Sequence, residues 1–145
     1  MSNFYELEVW KQCRVFRNDI STVSKTFPIE EKYKLVDQIK RSSRSTTANI
    51  AEGHGRYHFQ ENIQFCRQAR GSLSETLDHL ICALDEEYIS KEEYLNFQKQ
   101  YDYCLKLING YIHFLQNQKD TDVNNKINEK DKKRKKDSDG LTHPT

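Results

Sequence analysis

The chain has 145 residues, enough for one ordinary domain, and its formal net charge is +1. No stretch approaches the roughly 18 consecutive apolar residues that a membrane-spanning helix needs, and the N-terminal residues lack the charged-then-apolar build of a secretion signal. We therefore expect a cytoplasmic protein without a membrane segment. Apolar residues make up only 35% of the chain, so the prediction of fold depends on their spacing.

The first predicted helix has an apolar residue every three or four positions, which places these residues on one face. The stripe consists of Val9, Cys13, Phe16, Ile20, Val23 and Phe27. Pro28 has no backbone N–H and disfavours the helical conformation of the residue before it. We expect the helix to end just before Pro28.

The second predicted helix begins near Glu30 or Glu31 and has small hydroxyl residues in the middle of its core-facing stripe. The stripe consists of Leu35, Ile39, Ser42, Ser43, Thr46, Thr47 and Ile50. Each hydroxyl can donate to the carbonyl one turn back, so this stripe can be buried and a neighbouring helix can approach closely. Gly53 and Gly55 supply the backbone freedom that is expected to end the helix.

The third and fourth predicted helices carry apolar residues at heptad spacing, which is typical of a bundle seam. The third stripe is Phe59, Ile63, Cys66, Arg70, Leu73, Leu77, Leu80 and Leu84. A capping box of Ser90 and Glu93 opens the fourth helix, whose stripe is Tyr94, Phe97, Tyr101, Cys104, Ile108, Tyr111 and Leu115. The prediction is an all-α fold, an up-and-down antiparallel four-helix bundle over residues 1–117. Apolar periodicity stops there, and residues 118–145 are predicted to form a disordered charged tail.

Four stretches together resemble the four-helix-bundle proteins encoded in intervening sequences of bacterial 23S ribosomal RNA genes. They are ELEVWKQC (6–13), FPIEEKYKL (27–35), SSRSTTANIAEGHGR (42–56) and RQARGSLSETLDHL (67–80). The resemblance implies a homopentamer without established enzymatic activity. The accessory protein of diversity-generating retroelements is similar in architecture and works with a reverse transcriptase and RNA through a basic surface. The bundle of the present chain is nearly neutral, so the resemblance does not imply a wholly basic surface.

Charge is distributed unevenly along the bundle. Residues 32–70 contain eight basic and three acidic residues, a net of +5, whereas residues 71–104 contain two basic and eight acidic residues, a net of −6. Cations interspersed with aromatic residues suit RNA phosphates and bases, and the candidate nucleic-acid-binding residues are Lys40, Arg41, Arg44, Arg56 and Arg67. Two alternatives stay open: a solvated surface, and a basic face that meets the acidic face of the next copy in a ring.

A polar cluster is predicted where the second and third helices meet. Its members are Asn49, Glu52, Arg70, Gly71 and Ser72. In this interpretation Glu52 pairs with Arg70, because an unpaired buried charge is costly, and Gly71 allows close backbone approach. A ligand or RNA site built on the same residues is the alternative interpretation.

The sequence offers no pattern typical of an enzyme. No Arg is followed five to seven residues later by His, as in helical-bundle ribonucleases, and no nucleophile arrangement is readable. The four cysteines form no CxxC pair and are interpreted as small buried hydrophobes, so no catalytic, metal or cofactor site is expected. The leading hypothesis is a non-enzymatic oligomer, a pentamer as the resemblance implies, that binds RNA or a ribonucleoprotein partner. The alternative is a protein-binding adaptor or accessory subunit, such as that of a retroelement reverse transcriptase, without direct RNA contact.

Overall fold

The computed structural model describes residues 3–140, which form four α-helices, two short 3₁₀ turns and no strand. The helices are α1 (Glu8–Ser24), α2 (Leu35–His54), α3 (Phe59–Asp85) and α4 (Lys91–Gly140). Consecutive helices pack against each other, and α4 closes the bundle against α1. Ser42 of α2 bonds to Thr76 of α3 and Ser45 bonds to Ser72, so α2 and α3 run antiparallel. Asn62 of α3 bonds to Tyr111 of α4 and Ser74 bonds to Tyr101, so α3 and α4 are antiparallel as well. The α4 helix packs beside α1, where Gln100 Nε2 donates to Asp19 at 2.7 Å. The predicted four-helix bundle is confirmed.

The core contains the apolar stripes that the helical spacing predicted. Most of the residues of the α1 and α4 stripes are buried: Val9, Cys13, Phe16, Ile20, Phe27, Phe97, Cys104, Ile108 and Leu115. The α1 helix ends at Ser24, shortly before Pro28. The capping box of α4 is also present, because the Glu93 backbone N donates to Ser90 Oγ at 3.1 Å and the Ser90 backbone N donates to Glu93 Oε1 at 3.0 Å.

The hydroxyl stripe of α2 is buried against α3, as predicted. Thr46 Oγ1 donates to the Ser42 carbonyl at 3.1 Å, and Ser42 Oγ donates to the Ile39 carbonyl at 3.2 Å. Thr76 of α3 then donates from its Oγ1 to Ser42 Oγ at 2.8 Å. Small side chains bring the two helices close, and each of these hydroxyls is satisfied without water.

Some local predictions were wrong. The chain forms a 3₁₀ turn at Ile29–Glu31 before α2 begins at Leu35. Gly53 does not end α2 but lies buried inside it, and Gly55 is the residue that caps the helix. Cys82 is exposed.

The buried strip of α3 is also wider than the predicted seam, because this helix packs on both α2 and α4. It includes Asn62, Ala69, Thr76 and Ala83, whereas Phe59 is 38% exposed and Arg70 is half-buried.

The structure also differs from the predicted disordered tail, because α4 continues as a helix through Gly140. Beyond Lys119 its residues are exposed, so packing does not hold them helical. Residues 118–139 contain no proline or glycine and many lysines, which favour helix, and the packed part of α4 supplies the nucleus. The rest of the predicted tail, residues 141–145, lies outside the described residues.

Candidate nucleic-acid interface

Three arginines lie together where α1 packs against α2. Arg14 and Arg17 are one turn apart on α1, and Arg44 approaches them from α2. The Arg17 Nη1 atom donates to Thr47 Oγ1 at 2.9 Å, and Thr47 Oγ1 in turn donates to the Arg44 carbonyl at 3.1 Å. This chain of hydrogen bonds fixes the Arg17 guanidinium on the surface of α2.

The arginine cluster has no carboxylate to neutralise it within residues 3–140. Burial lowers the pKa of Arg17, and the positive charges of Arg14 and Arg44 lower it further. Each ion pair in this part of the chain involves other residues. Arginine stays charged despite such a shift, so the three guanidinium groups repel each other and form a favourable position for an anion.

An aromatic residue extends the cluster toward the N-terminal end of α1. The Arg14 guanidinium lies 5.5 Å from the centre of the Trp10 ring, a cation–π contact. Trp10 also contacts Phe4, with ring centres 5.3 Å apart in an edge-to-face arrangement. The Trp10 ring is therefore positioned beside the cations.

Three lysines continue the positive charge toward the α1–α2 connection. Lys25, Lys32 and Lys40 line a cleft of about 290 Å³, together with the apolar side chains of Phe27 and Ile29. The six cations Arg14, Arg17, Lys25, Lys32, Lys40 and Arg44 are called the α1–α2 basic surface below. Their grouping depends on the contact between two helices and not on nearness in sequence.

The five predicted nucleic-acid-binding residues do not form one surface. Lys40 and Arg44 belong to the α1–α2 basic surface. Arg67 is exposed on α3, and α3 does not contact α1 among the described residues.

Two of the predicted residues form ion pairs with carboxylates. Arg41 pairs with Asp37 at 3.6 Å, and Arg56 pairs with Glu52 at 2.8 Å. Arg56 also lies 4.0 Å from a Glu61 carboxylate oxygen. Both arginines keep their charge, but each has a carboxylate competing with any phosphate.

Arg14 and Arg17 were not predicted as part of the interface, because they precede the basic stretch 32–70 in the chain. The helical spacing of the α1 sequence does contain a pattern that indicates their position. Trp10, Arg14, Arg17 and Ser21 are spaced by 4, 3 and 4, directly beside the apolar stripe of α1. Polar residues that border a buried stripe lie in the groove with a neighbouring helix.

Two members of the predicted polar cluster are linked, through a residue outside it. The Asn49 Nδ2 atom donates to Ser45 Oγ at 3.0 Å, and a hydrogen bond of 2.9 Å joins the Oγ atoms of Ser45 and Ser72. These hydrogen bonds connect α2 to α3, as the bond between Thr76 and Ser42 does one turn away.

The predicted pair of Glu52 with Arg70 was wrong. Glu52 is exposed and pairs with Arg56 one turn along its own helix, while Arg70 Nη1 donates to Asn109 of α4 at 2.9 Å. Gly71 has no atom within 4 Å of the position that a Cβ would take. Arg70 and Gly71 therefore face away from α2. The rotation of α3 about its axis places Ala69 and Ser72 at the contact with α2 instead.

A family model for the 23S rRNA-intervening sequence protein matches residues 5–110. The chain belongs to this family. A crystal structure of a protein with unknown function from the S23 ribosomal protein family of Bacteroides thetaiotaomicron is similar, with 27% identity and a TM-score of 0.66. The match covers 72% of the present chain and 97% of the other. No curated protein matches the chain significantly.

Two absences apply to the described part of this family member, residues 3–140. No helix there combines the length and apolar character needed to cross a membrane. No three side chains of His, Cys, Asp or Glu gather there into a group that could hold a metal ion.

Proposed function

We propose that this 23S rRNA-intervening sequence protein is a non-enzymatic oligomer that binds RNA, holding phosphates on the α1–α2 basic surface. One observation carries the proposal: Arg14, Arg17 and Arg44 lie together without a carboxylate partner. Clustered like charges lower stability, so such a cluster is maintained best where an anion occupies it in the working protein.

The chemistry of the surface suits a nucleic-acid backbone. Guanidinium groups bind phosphate through two parallel hydrogen bonds, and Arg17 is already oriented by Thr47. The lysine-lined cleft extends the positive charge along the same groove. None of these contacts reads a base edge, so we expect binding with little sequence preference.

We propose further that the protein assembles with itself as a pentamer, as its family resemblance implies. Large apolar side chains that self-association could cover are exposed on the outside of the bundle: Val15, Ile81 and Leu95, at 38% to 47%. A ring would repeat the α1–α2 basic surface in each copy, and multivalent contact would strengthen binding to one long RNA. Light scattering after gel filtration tests the assembly, with five times the chain mass as the expected result.

The RNA test compares two variants that lose the same charge. The pair Arg14→Gln with Arg44→Gln removes two unneutralised arginines, and the control pair Arg41→Gln with Arg56→Gln removes two that have carboxylate partners. Binding is measured with a fluorescein-labelled RNA duplex. We expect the affinity of the unchanged protein to fall steeply with added salt. The first pair of substitutions should weaken the affinity roughly 10-fold or more. The control pair should bind almost as the unchanged protein does. Equal losses would show that net charge, and not this surface, determines binding.

A protein partner is the second candidate, favoured by the acidic stretch 71–104 with its net charge of −6. The same arginines could contact that acidic face on the next copy, or an acidic surface of another protein such as a reverse transcriptase. In that case the Arg14→Gln, Arg44→Gln protein would show a lower mass in solution or lose its protein partner. Its affinity for RNA would not change.

A further inference from the structure

The α2–α3 turn exposes aromatic side chains that contribute little to the core. Tyr57 is 95% exposed and Phe59 is 38% exposed. The Tyr57 ring touches the ring of His58 edge-on, at 4.9 Å between centres. Large aromatic surface left in water at a turn stabilises nothing within the chain, so it is available to a partner.

Two clefts flank this turn. One, of about 700 Å³, has aromatic walls from Tyr57, Phe59, Tyr111 and Phe114 and a polar floor that includes Asn62. In it the rings of Tyr111 and Phe114 lie nearly parallel, 14° apart with centres at 6.3 Å. Tyr111 packs partly against the core, whereas Phe114 is 52% exposed and its flat face matches the dimensions and chemistry of a nucleobase.

The second cleft, of about 560 Å³, lies between the turn and the continuation of α4, and Lys119 lines it. The Lys119 Nζ atom donates to Gln60 Oε1 at 2.6 Å, which leaves its positive charge without a carboxylate partner among the described residues. Lys126 lines the same cleft but is paired with Asp122 at 3.1 Å.

The exposed part of α4 then becomes strongly basic. Residues 130–136 contain six basic residues and one acidic residue. Lys130 lies eleven positions after Lys119, which places the basic run roughly 16 Å farther along the helix axis. That distance corresponds to a few nucleotides of extended single strand, so one strand can reach both the rings and the cations.

We propose that single-stranded RNA binds this α2–α3 corner, with bases stacked on the rings of Tyr57 and Phe114 and phosphates running to residues 130–136. The site rests on the proposed RNA-binding function but lies on a different surface from the α1–α2 basic surface. Bases paired within a duplex cannot stack on protruding side chains, whereas unpaired bases can. The corner therefore selects single strands, while the arginines bind the backbone of either form.

The test measures fluorescence anisotropy of a short fluorescein-labelled oligoadenylate with the full chain. Tyr57→Ala should weaken binding roughly 5- to 100-fold, the usual effect of removing one stacking side chain. Tyr57→Phe keeps the aromatic ring, so it should bind as the unchanged protein does. Tyr103→Ala is the matched control. Tyr103 is also exposed, at 46%, but it lies on α4 and lines neither cleft at the corner nor the lysine-lined cleft, so its removal should leave affinity unchanged.

The outcomes separate this site from the proposed function. If Arg14→Gln with Arg44→Gln weakens binding while Tyr57→Ala does not, the RNA-binding function stands and the corner is overturned. The corner is also overturned if Tyr103→Ala has the same effect as Tyr57→Ala, or if unlabelled duplex competes as well as unlabelled oligoadenylate. If no RNA binds the unchanged protein, both proposals fail. Because Tyr57 is almost fully exposed, thermal melting should confirm that each variant remains folded.

Discussion

Gly53 of α2 faces Asn62 of α3 so closely that a Cβ atom on Gly53 would lie 2.6 Å from the Asn62 Oδ1 atom. The same Cβ would lie 2.9 Å from Phe65 Cβ and 3.1 Å from the Asn62 carbonyl oxygen. Asn62 is buried, and its Nδ2 atom donates to the hydroxyl of Tyr111 on α4 at 3.3 Å. Gly53 therefore sets the separation of α2 and α3, and Asn62 links that contact to α4.

Replacing Gly53 with alanine should destabilise the bundle. The backbone of α3 cannot move away locally without disturbing the contact of Asn62 with Tyr111. We expect Gly53→Ala to lower the free energy of unfolding by roughly 1 to 3 kcal/mol, the usual effect of overpacking. Urea denaturation followed by circular dichroism measures this difference.

Gly71 provides the matched control within α3. Nothing lies within 4 Å of its Cβ position, so Gly71→Ala should raise the free energy of unfolding by roughly 0.5 to 1 kcal/mol through better helix propensity. If Gly71→Ala and Gly53→Ala lost the same free energy of unfolding, the closest approach of α2 and α3 would not be at Gly53.

The two glycines show what helical spacing can and cannot predict. A period of 3.6 residues indicates which face of each helix is buried, and it correctly predicted the Ser42 and Thr46 stripe. It does not give the rotation and axial shift between two helices, which decide which residues meet. For this reason the close approach was predicted at Gly71, and Gly53 was expected to end α2.

The candidate interface was predicted in part for the same reason. The basic stretch 32–70 predicted Lys40 and Arg44 correctly. Both lie on the single helix α2, so a count of charges along the chain was enough to find them. The partners of Arg44 come from α1, and only the packing of α1 on α2 brings Arg14 and Arg17 beside it. Ion pairs such as Arg41 with Asp37 depend in addition on side-chain conformations that spacing alone does not fix.

The hydrogen bond between Thr76 and Ser42 should show measurable coupling. Thr76→Val keeps the shape but leaves Ser42 Oγ without a donor, and we expect a loss of about 1 kcal/mol in the free energy of unfolding. Ser42→Ala should lose a similar amount. In the double variant both partners are apolar, so its loss should be smaller than the sum by roughly 0.5 to 1.5 kcal/mol. Urea denaturation of the four proteins gives this difference, and strict additivity would exclude a direct interaction.

Cys82 should be the thiol that reacts in the folded protein, but slowly at neutral pH. Although Cys82 is exposed, partial desolvation by neighbouring protein atoms raises the pKa of its thiol, and the negative charges of Asp78, Asp85 and Glu86 raise it further. A raised pKa means less thiolate at pH 7, so alkylation by iodoacetamide should accelerate as the pH rises through and beyond the usual thiol range. Asp85→Asn removes one of these charges and should accelerate the reaction at pH 7. An unchanged rate in that variant would contradict the electrostatic cause.

The three other cysteines supply the internal control for this measurement. Burial raises the pKa of Cys66 to about 11, and Cys13 and Cys104 are also buried. We expect all three to react after addition of urea and Cys82 alone to react before it. Mass spectrometry of the alkylated peptides identifies which thiols reacted.

The exposed continuation of α4 should be helical in solution and independent of the bundle in stability. Asn125→Pro removes a helical hydrogen bond and costs roughly 3 kcal/mol within a helix. Because residues 120–140 are exposed, this cost should melt the segment beyond the substitution and leave the core intact. Far-ultraviolet circular dichroism should therefore lose helical signal while the melting temperature of the bundle stays the same. Asn125→Ala should keep or increase the signal, because alanine favours helix. Equal spectra for the proline and alanine variants would mean that this segment is not helical, in agreement with the disorder that its composition predicted.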